Sequence, residues 1–521
     1  MHGTTSTGTT ATTTTTRRAV LAAALAGAAT LALPSRAHAA STLANGGFES
    51  GTTGWSTYGT TAASYHEAGG RSGGYRLAHY AASAYKVETY QYLTGLTNGT
   101  YKLTAWVRSS GGQNSAYIAL KSAAGEQRTD LPPTPNGRWI RLVTSVAVTD
   151  GTVTVRLCSD AKAGNWANFD DITLTAGSTK LTVKGADISS LKKNEDKGAR
   201  YKNASGATAD AVAVLAAAGM NHARLRVWVD PADGYCDKAR TLAMAKRVKA
   251  AGMKLLVDLH YSDTWTDPGA QTIPSAWSGH SFAQLKADVS QHTYDVLNAL
   301  KAQGTPADMV QIGNELNAGM LWPAGSTSDW AQLAGLLTSG ANAAKAVSPS
   351  TKVALHLANG GDNALYRAWF DNAVKYGVPF DVIGLSFYGY WHGALSDLQA
   401  NTDDLATRYG KPLYVAETAY PFTFRDDDTW ENVIDQESEL VPGYAATEAG
   451  QAAWFRDLLN VVEAVPNGLG LGAYWWDATW TAVAGNGWDP TDPSSGNAWE
   501  NQALFDHDGA PTDAQTWFRH R

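Results

Sequence analysis

Between residues 180 and 521 one pattern recurs eight times: an apolar run of strand length, then a stretch with helical periodicity. The runs are LTVKGADIS, HARLRVWV, KLLVDLHYSD, MVQIGNE, KVALHLANG, DVIGLSFYGYW, PLYVAETAYP and LGLGAYWWDATW; SFAQLKADVSQHTYDVLNALKAQG and EAGQAAWFRDLLNVVEAV are typical of what lies between. Strands that are apolar on both faces, each followed by a helix, specify a parallel sheet covered on its outer side. Eight such units close into a (β/α)8 barrel, and the segment has the length such barrels take, about 200 to over 400 residues.

The chain of 521 residues is too long for that barrel alone. Residues 41–176 read as all-β: YKLTAWVRS, SAYIALKS, RWIRLVTSVAV and TVTVRLCS alternate apolar with polar residues and are separated by NG, GG and PNG turn signals. No stretch there is long enough for an amphipathic helix, so a β-sandwich is expected, joined to the barrel through AGSTK. Residues 1–40 read as an export signal: Arg17-Arg18, an apolar run, then Ala37-His38-Ala39 as a cleavage site. The paired arginines hint at twin-arginine export, and a secreted protein without a membrane span follows. A net charge of −7 without a basic cluster argues against a nucleic-acid partner. Cys158 and Cys236 fall in different predicted domains, which favours two buried thiols over a disulfide. Monomer is the default expectation.

In a barrel the residues just after each strand gather round one cleft. Here those positions hold Asp187, Arg226, Trp228, Asp258, His260, Asp263, Asn314, Glu315, Asn359, Ser386, Tyr388, Glu417, Trp476 and Asp477. Glu315 follows the fourth run and Glu417 ends the seventh, on facing walls, where two carboxylates can flank one sugar linkage at the roughly 5 to 5.5 Å that retaining glycoside cleavage needs. In this reading Glu417 attacks the anomeric carbon, Glu315 is the acid, and Asn314 bonds the hydroxyl next to the reacting centre. The competing reading of VQIGNELNAG is a helix start with Asn as cap, and each Glu could instead pair with a rim Lys or Arg. Nineteen Trp and 22 Tyr supply flat faces for sugar rings.

KGADIS, RLRVWV, DLHYSDTWTDPGAQTIPSAW, VQIGNELNAGMLWP, LSFYGYWHG, VAETAYP and WENQALFD resemble the corresponding stretches of glycoside hydrolase family 53, the endo-β-1,4-galactanases that cut the galactan of type I arabinogalactan. The resemblance covers nearly all of residues 180–521. It implies a (β/α)8 fold, Glu315 as general acid/base, Glu417 as nucleophile and no catalytic cofactor. By position, Arg226 and Tyr388 should hold Glu417 ionised. His260 at the cleft floor should bond substrate hydroxyls or Glu315, or else be a buried structural histidine. Trp228, Trp265, Trp322, Trp391, Trp476 and Trp480 are candidates for sugar platforms or for core, with His392 in the same position, and Asp187 joins the substrate-binding set. The resemblance also implies calcium between the loops after strands seven and eight, for which Asp426, Asp428, Asn432, Asp489 and Asp492 offer oxygens; Trp430 stands where a His would be expected, and a solvated acidic loop is the alternative.

The opening NGGFESGTTGWS and closing WANFDDITLT resemble jelly-roll carbohydrate-binding modules. That implies stacking residues among Trp55, Tyr58, Tyr85, Tyr90 and Trp166, and possible calcium ligands in Glu49, Asp170 and Asp171. The expectation is therefore a secreted endo-galactanase acting on a polysaccharide. Its rivals are another β-glycanase of the same clan, acting on xylan, mannan or glucan, and a non-catalytic polysaccharide-binding protein.

Overall fold

Period-two patterning builds the N-terminal region. In Tyr85–Leu93 every second side chain, from Tyr85 and Val87 through Thr89 and Gln91 to Leu93, is buried. The computed structural model describes residues 42–519, so the expected leader, 1–40, lies outside the described residues. The strands are β1 (Ser56–Gly59), β2 (Ser64–Ala68), β3 (Tyr75–Tyr80), β4 (Tyr85–Leu93), β5 (Gly99–Ser109), β6 (Ser115–Ser122), β7 (Gly125–Asp130), β8 (Ile140–Val148), β9 (Val153–Ala161) and β10 (Trp166–Ala176). They form two antiparallel sheets, β1-β4-β9-β6-β7 and β2-β3-β10-β5-β8. Leu77, Leu103, Val107, Ile118, Leu120, Leu142, Val155, Leu157 and Phe169 pack between them, a sandwich as the alternation predicts.

The eight apolar runs form the parallel closed barrel expected of them. Its strands are β11 (Val183–Asp187), β12 (His222–Val227), β13 (Lys254–Leu259), β14 (Met309–Ile312), β15 (Lys352–Leu357), β16 (Val382–Ser386), β17 (Leu413–Thr418) and β18 (Gly470–Trp475). Val183, Leu256, Met309, Ala354, Val382, Tyr414, Ala416 and Tyr474 fill one end of the barrel interior, so it is a packed core rather than a pore. Helices α1 (Ala211–Ala217), α2 (Lys238–Ala250), α3 (Phe282–Ala302), α4 (Trp330–Val347), α5 (Asn363–Lys375), α6 (Leu395–Tyr409) and α7 (Glu448–Glu463) cover the outside. Asp237 and Asp362 cap α2 and α5, and Ser281 with Gln284 closes a capping box on α3. After β18 the chain runs through a Gly/Pro-rich loop into a short 3-10 turn, Asp513–Phe518, whose Phe518 packs edge-on against Phe455 of α7.

The β16–β17 ladder shifts register at Leu385/Ser386, which sets Ser386 opposite Glu417. Such irregularities at a barrel rim re-aim side chains. Cys158 and Cys236 are both unpaired and buried. No helix among the described residues is long and apolar enough to cross a membrane.

Candidate active site

Beyond Ile312 the backbone reverses sharply: Gly313 has φ 80 and Glu315, a residue with a side chain, has φ 46 and ψ 58. Left-handed backbone at a non-glycine costs about 1 kcal/mol or more and is retained where a site requires it. Glu315 stands at the start of a 3-10 turn, Leu316–Ala318, yet no side chain caps that turn, so the helix-cap reading of this stretch fails. Instead Glu315 lines a cleft of about 550 Å3 together with Glu417, which rises from β17. Seven tryptophans share that lining: Trp265, Trp391, Trp430, Trp476, Trp480, Trp488 and Trp499.

The two carboxylates differ in their partners. Glu417 Oε1 is 2.8 Å from an Arg224 guanidinium nitrogen, and Tyr388 donates its hydroxyl to Oε2 at 3.0 Å. Burial pushes Glu417 up, and Arg224 and Tyr388 pull against it. Among the described residues Glu315 receives a single side-chain bond, from Ser386 Oγ at 2.6 Å, and no cation pairs with it. Burial and then the neighbouring Glu417 charge push it up to about 8. Glu417 is therefore the member of the pair that ionises first, leaving Glu315 as a carboxylic acid at neutral pH. Activity is expected to fall as pH rises through about 8, where Glu315 loses its proton. Glu315→Gln should remove that alkaline limb and lower kcat by about 10²- to 10⁴-fold; kcat/KM measured against pH checks both.

Arg224 is the hub beneath the cleft. Fully buried, it bonds Asp187 at 3.0 Å, Asp258 at 2.7 Å and Asn314 Oδ1 at 2.9 Å besides Glu417. Burial opposes its charge, but Asp258, Glu417 and Asp187 outweigh burial and hold the guanidinium charged. A second chain supports Glu315: Gln311 donates to His356 Nδ1 at 2.8 Å, and His356 Nε2 lies 2.8 Å from Ser386 Oγ, which in turn donates to Glu315.

Several sequence expectations change here. Arg224, not Arg226, holds Glu417; Arg226 reaches the cleft wall but its guanidinium lies over Trp265 at 3.8 Å and contacts Cys236 Sγ. Asp187 is wholly buried and tied to Arg224 and the Ser189 amide, so it supports the site rather than touching substrate. Trp228 is buried behind Trp265 and donates to His260 Nδ1, outside the cleft lining. That donation fixes the His260 tautomer: Nδ1 accepts, so Nε2–H faces Asp258 at 3.0 Å, and no bond to Glu315 is made. Trp322 donates to Ala318 O and is likewise not a cleft residue. Asn314 lines the cleft as expected; its Oδ1 is taken by Arg224, and its amide donates to Thr266 O at 2.7 Å. Tyr388, Trp391, His392 and Trp476 lie in the cleft where the strand endings put them.

The loop carboxylates divide differently from expectation. Asp426 and Asp428 converge with Glu500, their ligand oxygens all within 4.8 Å of one another. Asp489 and Asp492 instead close their own turns by accepting from Thr491 and Ser494, side chains that make this loop self-satisfied. Glu500 Oε2 and both polar atoms of the buried Asn432 have no partner among the described residues; of these the Glu500 oxygen, beside Asp426 and Asp428, is the one placed to take a cation. Burial, with Asp428 and Asp426 adding, pushes Glu500 up to about 8. Hard oxygens of this kind suit calcium. In the sandwich, Glu49 accepts from the Gly74 and Tyr75 amides, Asp170 from the Arg71 amide, and Asp171 pairs with Arg71, which leaves these three satisfied without a metal. Trp55 and Tyr85 are core; Tyr58 is exposed, and Trp166 lines a recess of about 360 Å3 with Tyr65, Tyr80, Arg76, Arg108 and Asn168.

Residues 183–518 match the model of glycosyl hydrolase family 53, and residues 40–158 that of a carbohydrate binding domain. An endo-beta-1,4-galactanase of Bacillus subtilis is 34% identical over 380 residues, covering 66% of this chain and 87% of that one. The arabinogalactan endo-beta-1,4-galactanase A of Aspergillus niger is 38% identical over 318 residues, 60% of this chain and 89% of that one. Among solved structures, the family 53 catalytic domain of Ignisphaera aggregans superposes with a TM-score of 0.63 at 39% identity, covering 65% of this chain and 95% of that chain. With its two cleft carboxylates and closed barrel, the chain belongs to glycosyl hydrolase family 53 and is a glycoside hydrolase.

Proposed function

We propose that the protein is an exported, monomeric, retaining endo-β-1,4-galactanase that cuts the galactan of type I arabinogalactan. The observation that carries this is the asymmetry of one carboxylate pair, Glu417 held by a cation and Glu315 by none, in a cleft lined by tryptophans. Relatives named as galactanases set the substrate class. In the first step Glu417 attacks the anomeric carbon as the glycosidic bond breaks, and the Glu315 proton passes to the leaving oxygen; a galactosyl ester on Glu417 results. Glu315, now a carboxylate, takes a proton from water, whose oxygen displaces Glu417 and restores both groups. The Asn314 amide serves the adjacent hydroxyl, a contact that strengthens as positive charge develops. Trp391, 53% exposed at the cleft, is the platform most open to a sugar ring.

Reducing-end release from purified β-1,4-galactan, xylan, mannan and glucan tests the substrate. Galactan alone should be cleaved rapidly; cleavage of xylan, mannan or glucan in its place selects a different β-glycanase, and no release from any polymer leaves only the binding role. For the sandwich, the Tyr65, Tyr80 and Trp166 recess supplies aromatic faces beside Arg and Asn donors, a glycan-binding chemistry.

Calcium held by Asp426, Asp428 and Glu500 would tie the loop after β17 to the one after β18. It would neutralise their shared charge and take no part in bond cleavage. Adding calcium to chelator-treated protein should raise Tm by roughly 5 °C, and Asp426→Ala should abolish that rise. An unchanged Tm in scanning calorimetry would remove the ion from the account.

A further inference from the structure

The turn that follows β16 carries three cleft residues, Tyr388 on Glu417, the exposed Trp391 and His392. Inside, it is clamped: Gly389 sits so close to Trp454 of α7 that a Cβ there would lie 2.2 Å from the indole. Outside, it meets the sandwich. Pro133, Asn136 and Ile140 face Gly389, Gly393 and Ala394 across a crevice of about 220 Å3. Arg138 of the sandwich pairs with Asp397, and the other oxygen of that carboxylate accepts from the Ala394 amide at 2.9 Å, closing the turn into α6.

Further bonds fix the two bodies in one register. The Arg141 amide donates to Gln399 Oε1 at 2.7 Å and the Gln399 amide returns to Arg141 O at 2.8 Å, so a buried barrel side chain pairs with the open edge of β8. Arg141 also reaches Asp403 and Ala464 O, each at 2.6 Å, and Arg456 of α7 reaches Asp130 of β7 at 3.2 Å. A tether would need none of this. Pro133 likewise wedges against Gly443, where a Cβ would lie 2.6 Å from the proline ring.

We propose that the sandwich is a working part of the catalytic site: through Arg138 and the 133–141 segment it positions the 388–394 turn, and thereby Tyr388 on Glu417 and Trp391 in the cleft. Arg138 is a positioning residue: it acts on the reacting atoms only through Asp397 and the turn that Asp397 closes. The inference rests on the Proposed function for its substrate and on Glu417 as nucleophile for its pH readout. Glu417 faces Arg224, Asp258, Asp187, Tyr388 and Glu315, and of these only Tyr388 belongs to the turn.

The test uses the full chain with Arg138→Glu, Arg138→Met and Arg138→Lys, assayed on a short soluble β-1,4-galacto-oligosaccharide. Arg138 is half-exposed, so these changes leave the sandwich core intact, which unfolding curves verify. Arg138→Glu sets like charges beside Asp397 and should lower kcat roughly tenfold, with KM moving less and the acidic limb of kcat/KM shifting to higher pH as Tyr388 releases Glu417. Arg138→Met should move the same way by a smaller factor, and Arg138→Lys should restore most of kcat. Unchanged kcat and acidic limb in both Arg138→Glu and Arg138→Met overturn the proposal, as does a loss confined to KM on polymeric galactan. Should the wild type cleave a different β-glycan, the substrate reading alone falls, and the same comparison is made on that glycan.

Discussion

Glu417→Ala should lower galactan hydrolysis by a factor on the order of 10⁵ while leaving the protein folded and able to bind galactan. The size follows from the role: without the carboxylate no covalent intermediate forms, and the Trp-lined cleft that holds the sugar remains. The pocket vacated beside Arg224 and Tyr388 is fitted to an anion. Azide should therefore enter it and attack from the same face, giving an α-galactosyl azide product from an activated β-galactoside while Glu315 still serves the leaving group. Turnover within tenfold of wild type in Glu417→Ala would remove this residue from the mechanism.

The second large effect separates two arginines that lie two positions apart on β12. Arg224→Met strands Asp187, Asp258 and Glu417 together in the barrel without their cation. Breaking a buried ion pair from one side costs about 3 to 5 kcal/mol, so a clear fall in denaturant midpoint is expected together with loss of activity. Arg224→Lys should recover part of the stability but little activity, because a point charge cannot reach three carboxylates in the planar fork that Arg presents. Arg226→Met should spare kcat by comparison and act through substrate affinity, since Arg226 lies over Trp265 in the cleft wall and touches neither catalytic carboxylate. Equal kcat losses in the two variants would contradict the assignment of Arg224 as the group that keeps Glu417 ionised.

Strand and helix periods made the two architectures legible, because a sandwich strand alternates and a barrel strand does not. The carboxylates were legible for a related reason: a polar residue at the exit of an apolar run has few explanations other than a site, and Glu315, Glu417, Tyr388 and Trp476 all stand there. Depth was not legible. Arg224 and Arg226 share one face of β12, and which of them lies under the cleft depends on the strand's tilt and stagger in the closed barrel, which no local pattern carries. The same limit explains Trp228, which follows β12 yet packs behind Trp265. Trp430, Trp488 and Trp499 reach the cleft from the long loops after β17 and β18, where no periodicity says which way a side chain turns. Glu500 belongs to the same class. It meets Asp426 and Asp428 only because the last loop folds back, whereas Asp489 and Asp492, nearer candidates by composition, spend their oxygens on their own turns.

The central claim is that Glu417 becomes covalently bonded to the sugar while Glu315 manages the proton. Intact mass and peptide mapping after incubation with a 2-deoxy-2-fluoro-galactoside bearing a good leaving group test it directly, because the fluorine slows release of the intermediate. One added sugar on the peptide containing Glu417 is the expected result. A label on Glu315, or turnover of the reagent with inversion and no adduct, would contradict the account.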